Sequence, residues 1–249
     1  MNQKDPPYIS KPMEQLLVAL DVDTVAEARA LADRLRGAVG GFKIGSRLFT
    51  SEGPGLVEEL ASHGDRVFLD LKFHDIPNTV AGAIRAATRL GVWMVNVHAS
   101  GGRAMMRAAR AAADEEAARR SLTAPLVIAV TMLTSLDQAA LAEIGLNGAV
   151  ADQVERLAVL TESSGLDGVV ASPQEIAIIR KVCGARFNIV TPGIRGAGDA
   201  KGDQSRTLSA AEALAAGASY LVVGRPIIAA ADPRAAAERI ALECRGQVS

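Results

Sequence analysis

Eight short apolar runs alternate with alanine-rich, helix-forming stretches along the chain, and this alternation leaves few folds open. The runs cover residues 16–20, 42–45, 67–72, 93–97, 125–130, 168–170, 188–190 and 220–223. Each is apolar at nearly every position, the pattern of a strand buried on both faces in a parallel sheet. Helices are expected from the first run to about Arg36, over 55–62, from Pro77, over 103–119, across 136–163, from Pro173, and finally to near Cys244. Pro77 and Pro173 suit a first helical turn, where the missing N–H is not needed. Eight βα units without a linker-like break predict a single (β/α)8 TIM barrel over residues 14–249. A doubly wound open sheet fits less well. No G-x-G-x-x-G follows the first run, and polar residues recur at the ends of nearly every run, as a circular site requires.

Size and charge agree with one barrel. The chain has 249 residues, 49% of them hydrophobic. A domain of about 250 residues buries about 75% of its unfolded surface, enough for a full core. The formal charge of -1 argues against nucleic acid as a main partner, because phosphate backbones select basic faces. No apolar run is long enough to predict a membrane span. Residues 1–13 are polar, contain three prolines and lack an apolar signal core, so they read as a flexible tail. Cys183 and Cys244 stand far apart with no metal-ligand spacing, and read as reduced thiols of a cytoplasmic protein.

The third run carries the most chemistry. Asp70 and Lys72 sit two apart, so an extended strand projects both to one side, and Asp75 follows just past its end. Charges converging at a strand's carboxyl end are costly unless paired. In a barrel, that end is where active sites lie. Asp21, Lys43, Thr134 and Arg195 occupy equivalent ends, so a ring of mixed charge is expected around one mouth. Asp70, Lys72 and Asp75 are placed to bracket Lys43. Opposite charge favours the charged form of such a lysine, making it a proton donor rather than a Schiff-base nucleophile.

A second signal is Val223-Gly224-Arg225-Pro226. Glycine lets a ligand approach the backbone, arginine supplies a charge-assisted fork, and the helix opened by Pro226 favours an anion at its amino end. Barrels often hold phosphate with the loops after strands seven and eight. The glycine-rich, charged stretch 193–206 is therefore expected to be a mobile lid rather than a plain surface loop. His63, His74 and His98 form no H-x-x-x-H or His/Cys grouping, so no metal is expected. A nucleophile elbow is also lacking. The Met105-Met106 pair is most simply packing.

The run Asp70-Leu71-Lys72-Phe73-His74-Asp75-Ile76-Pro77-Asn78-Thr79 resembles the bacterial form of the orotidine 5'-phosphate decarboxylase family. Leu20-Asp21-Val22-Asp23, Phe42-Lys43-Ile44-Gly45, Val130 to Ser135, Thr191 to Arg195 and Val223 to Ile227 also fall where that family has its signature segments. The resemblance implies a homodimeric barrel that converts orotidine 5'-monophosphate to uridine 5'-monophosphate without metal or organic cofactor. It implies that Lys72 donates a proton to pyrimidine C6 and that Asp70 lies beside the substrate carboxylate. Lys43 would complete the charged chain and bind the ribose with Asp21. Asp75 and Thr79 are similar to residues that reach into the neighbouring subunit's site, and Ile76 falls in the same substrate-binding segment. Thr134 would contact the pyrimidine edge, and Arg195, Gln204, Gly224 and Arg225 would hold the phosphate and close the loop. The nearest rivals are the magnesium-dependent sugar-phosphate decarboxylases and aldolases, which look alike around Asp-x-Lys-x-x-Asp but carry an acidic metal ligand where this chain has Lys43. A catalytically inactive nucleotide-binding barrel is the rival from another class.

Overall fold

Strands apolar at nearly every position must be covered on both faces, and a closed ring of eight achieves this with no free edge. The computed structural model describes residues 13–194 and 208–246. Its strands are β1 (Met13–Ala19), β2 (Val39–Gly45), β3 (Val67–Phe73), β4 (Met94–His98), β5 (Leu126–Val130), β6 (Gly168–Val170), β7 (Asn188–Pro192) and β8 (Tyr220–Val223). All pair in parallel in sequence order, and β8 closes on β1 through Leu16↔Leu221, Leu17↔Val222 and Val18↔Val223. The fold is thus a (β/α)8 barrel. Met13, which the sequence reading leaves in the tail, begins β1.

Side chains divide by parity. Leu17, Ala19, Phe68, Met94, Ile128, Val190 and Val222 point inward and fill the barrel. Their neighbours Leu16, Val18, Leu69, Val95, Val127, Val169, Ile189 and Leu221 point outward and join the core beneath the helices. At Gly168 a Cβ would run into the backbone carbonyl of Asn188, so β6 and β7 approach as closely as they do because no side chain intervenes.

Most helices lie where their sequence signals put them. Thr24 caps Val25–Leu35 by accepting from Glu27 N at 3.2 Å, and Pro77 occupies the first turn of Pro77–Arg89. The helices expected across 136–163 are Gln138–Glu143 and Val150–Ser163, separated by Gly145 and Gly148, both at positive φ. Two short helices were not expected from the sequence: Ser46–Glu52 and Ala210–Ala215. Met105 and Met106 are fully buried packing residues on Gly102–Arg120.

The buried charge of Glu116 is paired. Glu116, almost fully buried, receives Arg119 at 2.6 Å and Arg120 at 3.0 Å, with Arg89 of the preceding helix at 3.6 Å. These arginines hold its carboxyl down to about 2 against the opposing effect of burial. At the amino ends of the strands, the Trp93 ring meets Tyr220 edge-on at 5.1 Å, and the Arg66 guanidinium lies 5.4 Å above it. Cys183 and Cys244 are free and buried, and burial pushes both thiols up to about 11. No helix among the described residues is long and apolar enough to cross a membrane.

Candidate active site

A cavity of about 520 Å³ opens at the carboxyl ends of the strands. Inward parity on β2 delivers Lys43, between the outward Phe42 and Ile44, and inward parity on β3 delivers Asp70, whose Cα pairs with Gly45. Asp21 arrives just past β1, Thr134 from the loop after β5, and Gly224 and Arg225 from the end of β8. All of these line the one cavity with Lys72.

The charges form a chain. Asp21 Oδ1 lies 3.2 Å from Lys43 Nζ, which lies 3.4 Å from Asp70 Oδ2, while Asp70 Oδ1 lies 2.6 Å from Lys72 Nζ. The Lys43 and Asp70 side chains are only 10% and 13% exposed, whereas Lys72 is 37% exposed, so its ammonium is the one presented to a ligand. Burial pushes the Asp70 carboxyl up, but the Lys43 and Lys72 charges and hydrogen bonds from Lys72 and Asn96 outweigh it. The net shift is downward, and Asp70 is an anion at neutral pH. His98 lies behind this cluster with its ring 5.3 Å from that of His74. Burial, His74 and Lys72 keep it neutral-leaning against the opposing pull of Asp70.

Two expectations need correction. Asp75 does not bracket Lys43 within the chain. Its carboxylate accepts from Ile76 N at 2.6 Å, and Asp75, Ile76 and Thr79 are exposed and do not line the cavity. Strand parity ends with β3, and Asp21 stands where Asp75 was expected. The helix after β8 begins at Arg225, not Pro226, and spans only Arg225–Ile228. So short a helix has little field at its end, and the cation available to an anion there is the Arg225 guanidinium itself. Arg225 is exposed and forms no ion pair among the described residues. Arg195, Gln204 and the expected lid from 195 onward lie outside the described residues. Gly193 and Ile194, just before them, line the cavity.

Two residues escaped the sequence reading. A Cβ at Gly45 would sit 3.1 Å from Lys43 Nζ and 3.5 Å from Asp21 Oδ1, so glycine there makes room for the ammonium. Asn96, fully buried on β4, donates to Asp70 Oδ1 at 2.7 Å and accepts from Lys72 N at 2.8 Å. A lone amide in the apolar run Met94-Val95-Asn96-Val97 was its signal. At Gly224, by contrast, a Cβ would meet Ala19 and Asp21 at the ordinary distances of 3.6 and 3.7 Å. Packing alone does not require glycine there; the space a side chain would take belongs to the cavity.

Among the described residues, no group of three or more His, Cys, Asp or Glu is arranged to hold a metal ion. The profile of the "Orotidine 5'-phosphate decarboxylase / HUMPS family" matches residues 14–240. The chain belongs to that family. It is 58% identical to the orotidine 5'-phosphate decarboxylase of Moorella thermoacetica, over 92% of each chain. It is 57% identical to that of Halorhodospira halophila, over 92% of this chain and 95% of the relative. The crystal structure of orotidine 5'-phosphate decarboxylase from Lactobacillus acidophilus superposes with a TM-score of 0.83 at 36% identity, covering 94% of this chain and 99% of that one.

Proposed function

We propose that this protein decarboxylates orotidine 5'-monophosphate to uridine 5'-monophosphate and carbon dioxide, the last step of de novo pyrimidine nucleotide synthesis. One observation carries the reading. An ammonium group, Lys72 Nζ, is held 2.6 Å from a largely buried carboxylate that lines the cavity, with a second ammonium 3.4 Å from that carboxylate. When the bond from C6 to the carboxylate breaks, its electron pair stays on C6, where no adjacent carbonyl can accept it. A fixed cation beside that carbon stabilises the charge, and the same group transfers its proton to C6. The neutral amine left behind regains a proton from solvent.

Asp70 plays two parts in this account. It holds the Lys72 ammonium in place, and it lies beside the substrate carboxylate. Repulsion between two such charges about 4 Å apart, at an effective dielectric near 20, amounts to about 4 kcal/mol. Highly proficient enzymes lower barriers by as much as about 23 kcal/mol. Repulsion is therefore a minor share. Most of the effect comes from charge already in place at Lys72, and from binding energy at the remote phosphate that does not react. Arg225 and Gly224 hold that phosphate in this reading, with Arg195 and Gln204. Lys43 and Asp21 take the ribose hydroxyls, and Thr134 the pyrimidine edge. Two copies of the chain form the working unit, with Asp75, Ile76 and Thr79 of each reaching the site of the other. Their exposure, with Ile76 67% exposed, supports that arrangement. Lys43 supports chemistry without a metal, because an ammonium at that position repels a cation.

The test is spectrophotometric. Purified protein should consume orotidine 5'-monophosphate and release uridine 5'-monophosphate, and should do so equally after exhaustive chelation. No turnover of this nucleotide rejects the reading, and turnover lost on chelation and restored by magnesium favours the metal-dependent relatives instead.

A further inference from the structure

We infer that Asn96 is a positioning residue for the reaction, holding Lys72 in a backbone conformation the strand would not otherwise supply; this rests on the decarboxylase reading above. The ladder between β3 and β4 is broken. Leu69 pairs with Val95, but the next pair is Phe73 with Val97, so four steps on β3 face two on β4. Within this bulge Lys72 has φ +52, one of two non-glycine residues with positive φ among the described residues. Long side chains rarely adopt that region, and residues held there cluster at functional sites. Lys72 itself has no register partner on β2 or β4. Asn96 supplies an acceptor for the Lys72 N–H through Oδ1 at 2.8 Å.

The other half of the amide faces the carboxylate. Asn96 Nδ2 donates to Asp70 Oδ1 at 2.7 Å, and that oxygen also takes Lys72 Nζ at 2.6 Å, leaving Oδ2 for Lys43 at 3.4 Å. One planar amide therefore sets both the backbone of the proton donor and the rotation of the carboxylate that holds it. Only one orientation of that amide satisfies both neighbours, because an N–H needs an acceptor and a carboxylate a donor. The side chain is fully buried, so its removal leaves the Lys72 N–H without its acceptor and Asp70 Oδ1 without one of its donors.

The test compares Asn96→Ala and Asn96→Asp with the unsubstituted protein. Asn96→Ala loses both bonds, and kcat should fall about a hundredfold, as expected when a reacting group is misplaced by about 1 Å. Affinity for uridine 5'-monophosphate should stay near that of the unsubstituted protein, since Asn96 does not line the cavity. Asn96→Asp keeps the acceptor for Lys72 N but sets a second carboxyl against Asp70. The acid limb of its kcat profile should move to higher pH, because like charges favour a shared proton. An unchanged kcat in Asn96→Ala, or a fall matched by equally weakened nucleotide binding, overturns the inference. Should Asn96→Ala not fold, an unmoved acid limb in the isosteric Asn96→Asp overturns it. Inactivity of the unsubstituted protein rejects the decarboxylase reading instead. Even then, a crystal structure of the Asn96→Asp or Asn96→Ala protein decides the geometry. Lys72 released to negative φ in Asn96→Ala, or Asp70 turned away from Lys72 in either variant, supports the inference; Lys72 unmoved against Asp70 in both refutes it.

Discussion

Lys72 and Lys43 share one carboxylate, yet their surroundings assign them different work. Lys43 is enclosed between two acids, and Lys72 looks into the cavity. Replacing Lys72 by alanine removes both the cation and the proton, so turnover should fall by about ten-thousand-fold or more. Nucleotide binding should stay measurable by calorimetry, and near-normal turnover in that variant would reject the proton-donor role. Gly45→Ala tests the neighbouring space. Its new Cβ would press on Lys43 Nζ from 3.1 Å, and kcat/KM should drop about tenfold without loss of fold. Unchanged kcat/KM would mean that the ammonium steps aside freely. Asp21, Lys43, Asp70, Lys72, Thr134, Gly224 and Arg225 were legible because strand-end position and side-chain type together define them. Asp75 was misplaced because parity says nothing beyond the last strand residue. Gly45 and Asn96 were missed because their importance lies in contacts across to other strands, which spacing along one strand does not reveal.

The helices show what holds the scaffold around that site. Glu116 ties Gly102–Arg120 to Pro77–Arg89 through Arg89, and to its own last turn through Arg119 and Arg120. Its folded pKa, about 2, lies below the ordinary glutamate value of 4.5. A depressed carboxylate stabilises the fold above the ordinary value and loses that contribution as pH falls through the folded one. Thermal midpoints should therefore decline between 4.5 and about 2, and Glu116→Gln should have a lower midpoint at neutral pH and a shallower decline over that window. Parallel declines in the two proteins would show that Glu116 carries none of the acid sensitivity. All eight strands were readable, with ends displaced by a few residues, since buried parallel strands announce themselves as continuous apolar runs. Short helices were harder. Ala210–Ala215 carries its own capping box from Ser209 to Glu212, but six residues give too little periodicity to stand out from a loop.

Closure of β8 on β1 brings residues some two hundred positions apart into one cavity, so the site exists only when the ring is complete. One chain leaves Asp75, Ile76 and Thr79 exposed beside that ring. If paired subunits exchange these residues, mixing inactive Asp75→Asn and Lys72→Ala proteins should restore up to about a quarter of normal activity, because half of randomly paired dimers carry one intact site of two. No recovery after verified subunit exchange would show that each chain works alone. The ring form and the mixed-charge mouth were legible because every βα unit repeats the same signal. Pairing between copies leaves no such periodic trace in one chain. The ring also has two poles with different tasks. Chemistry gathers at one, while the single tryptophan of the chain, Trp93, is wedged against Tyr220 and Arg66 at the other. That indole is a built-in optical gauge of barrel integrity: its emission should shift when urea opens the ring, yet stay constant as uridine 5'-monophosphate fills the opposite end. A marked change on nucleotide addition would mean that the two poles are mechanically connected.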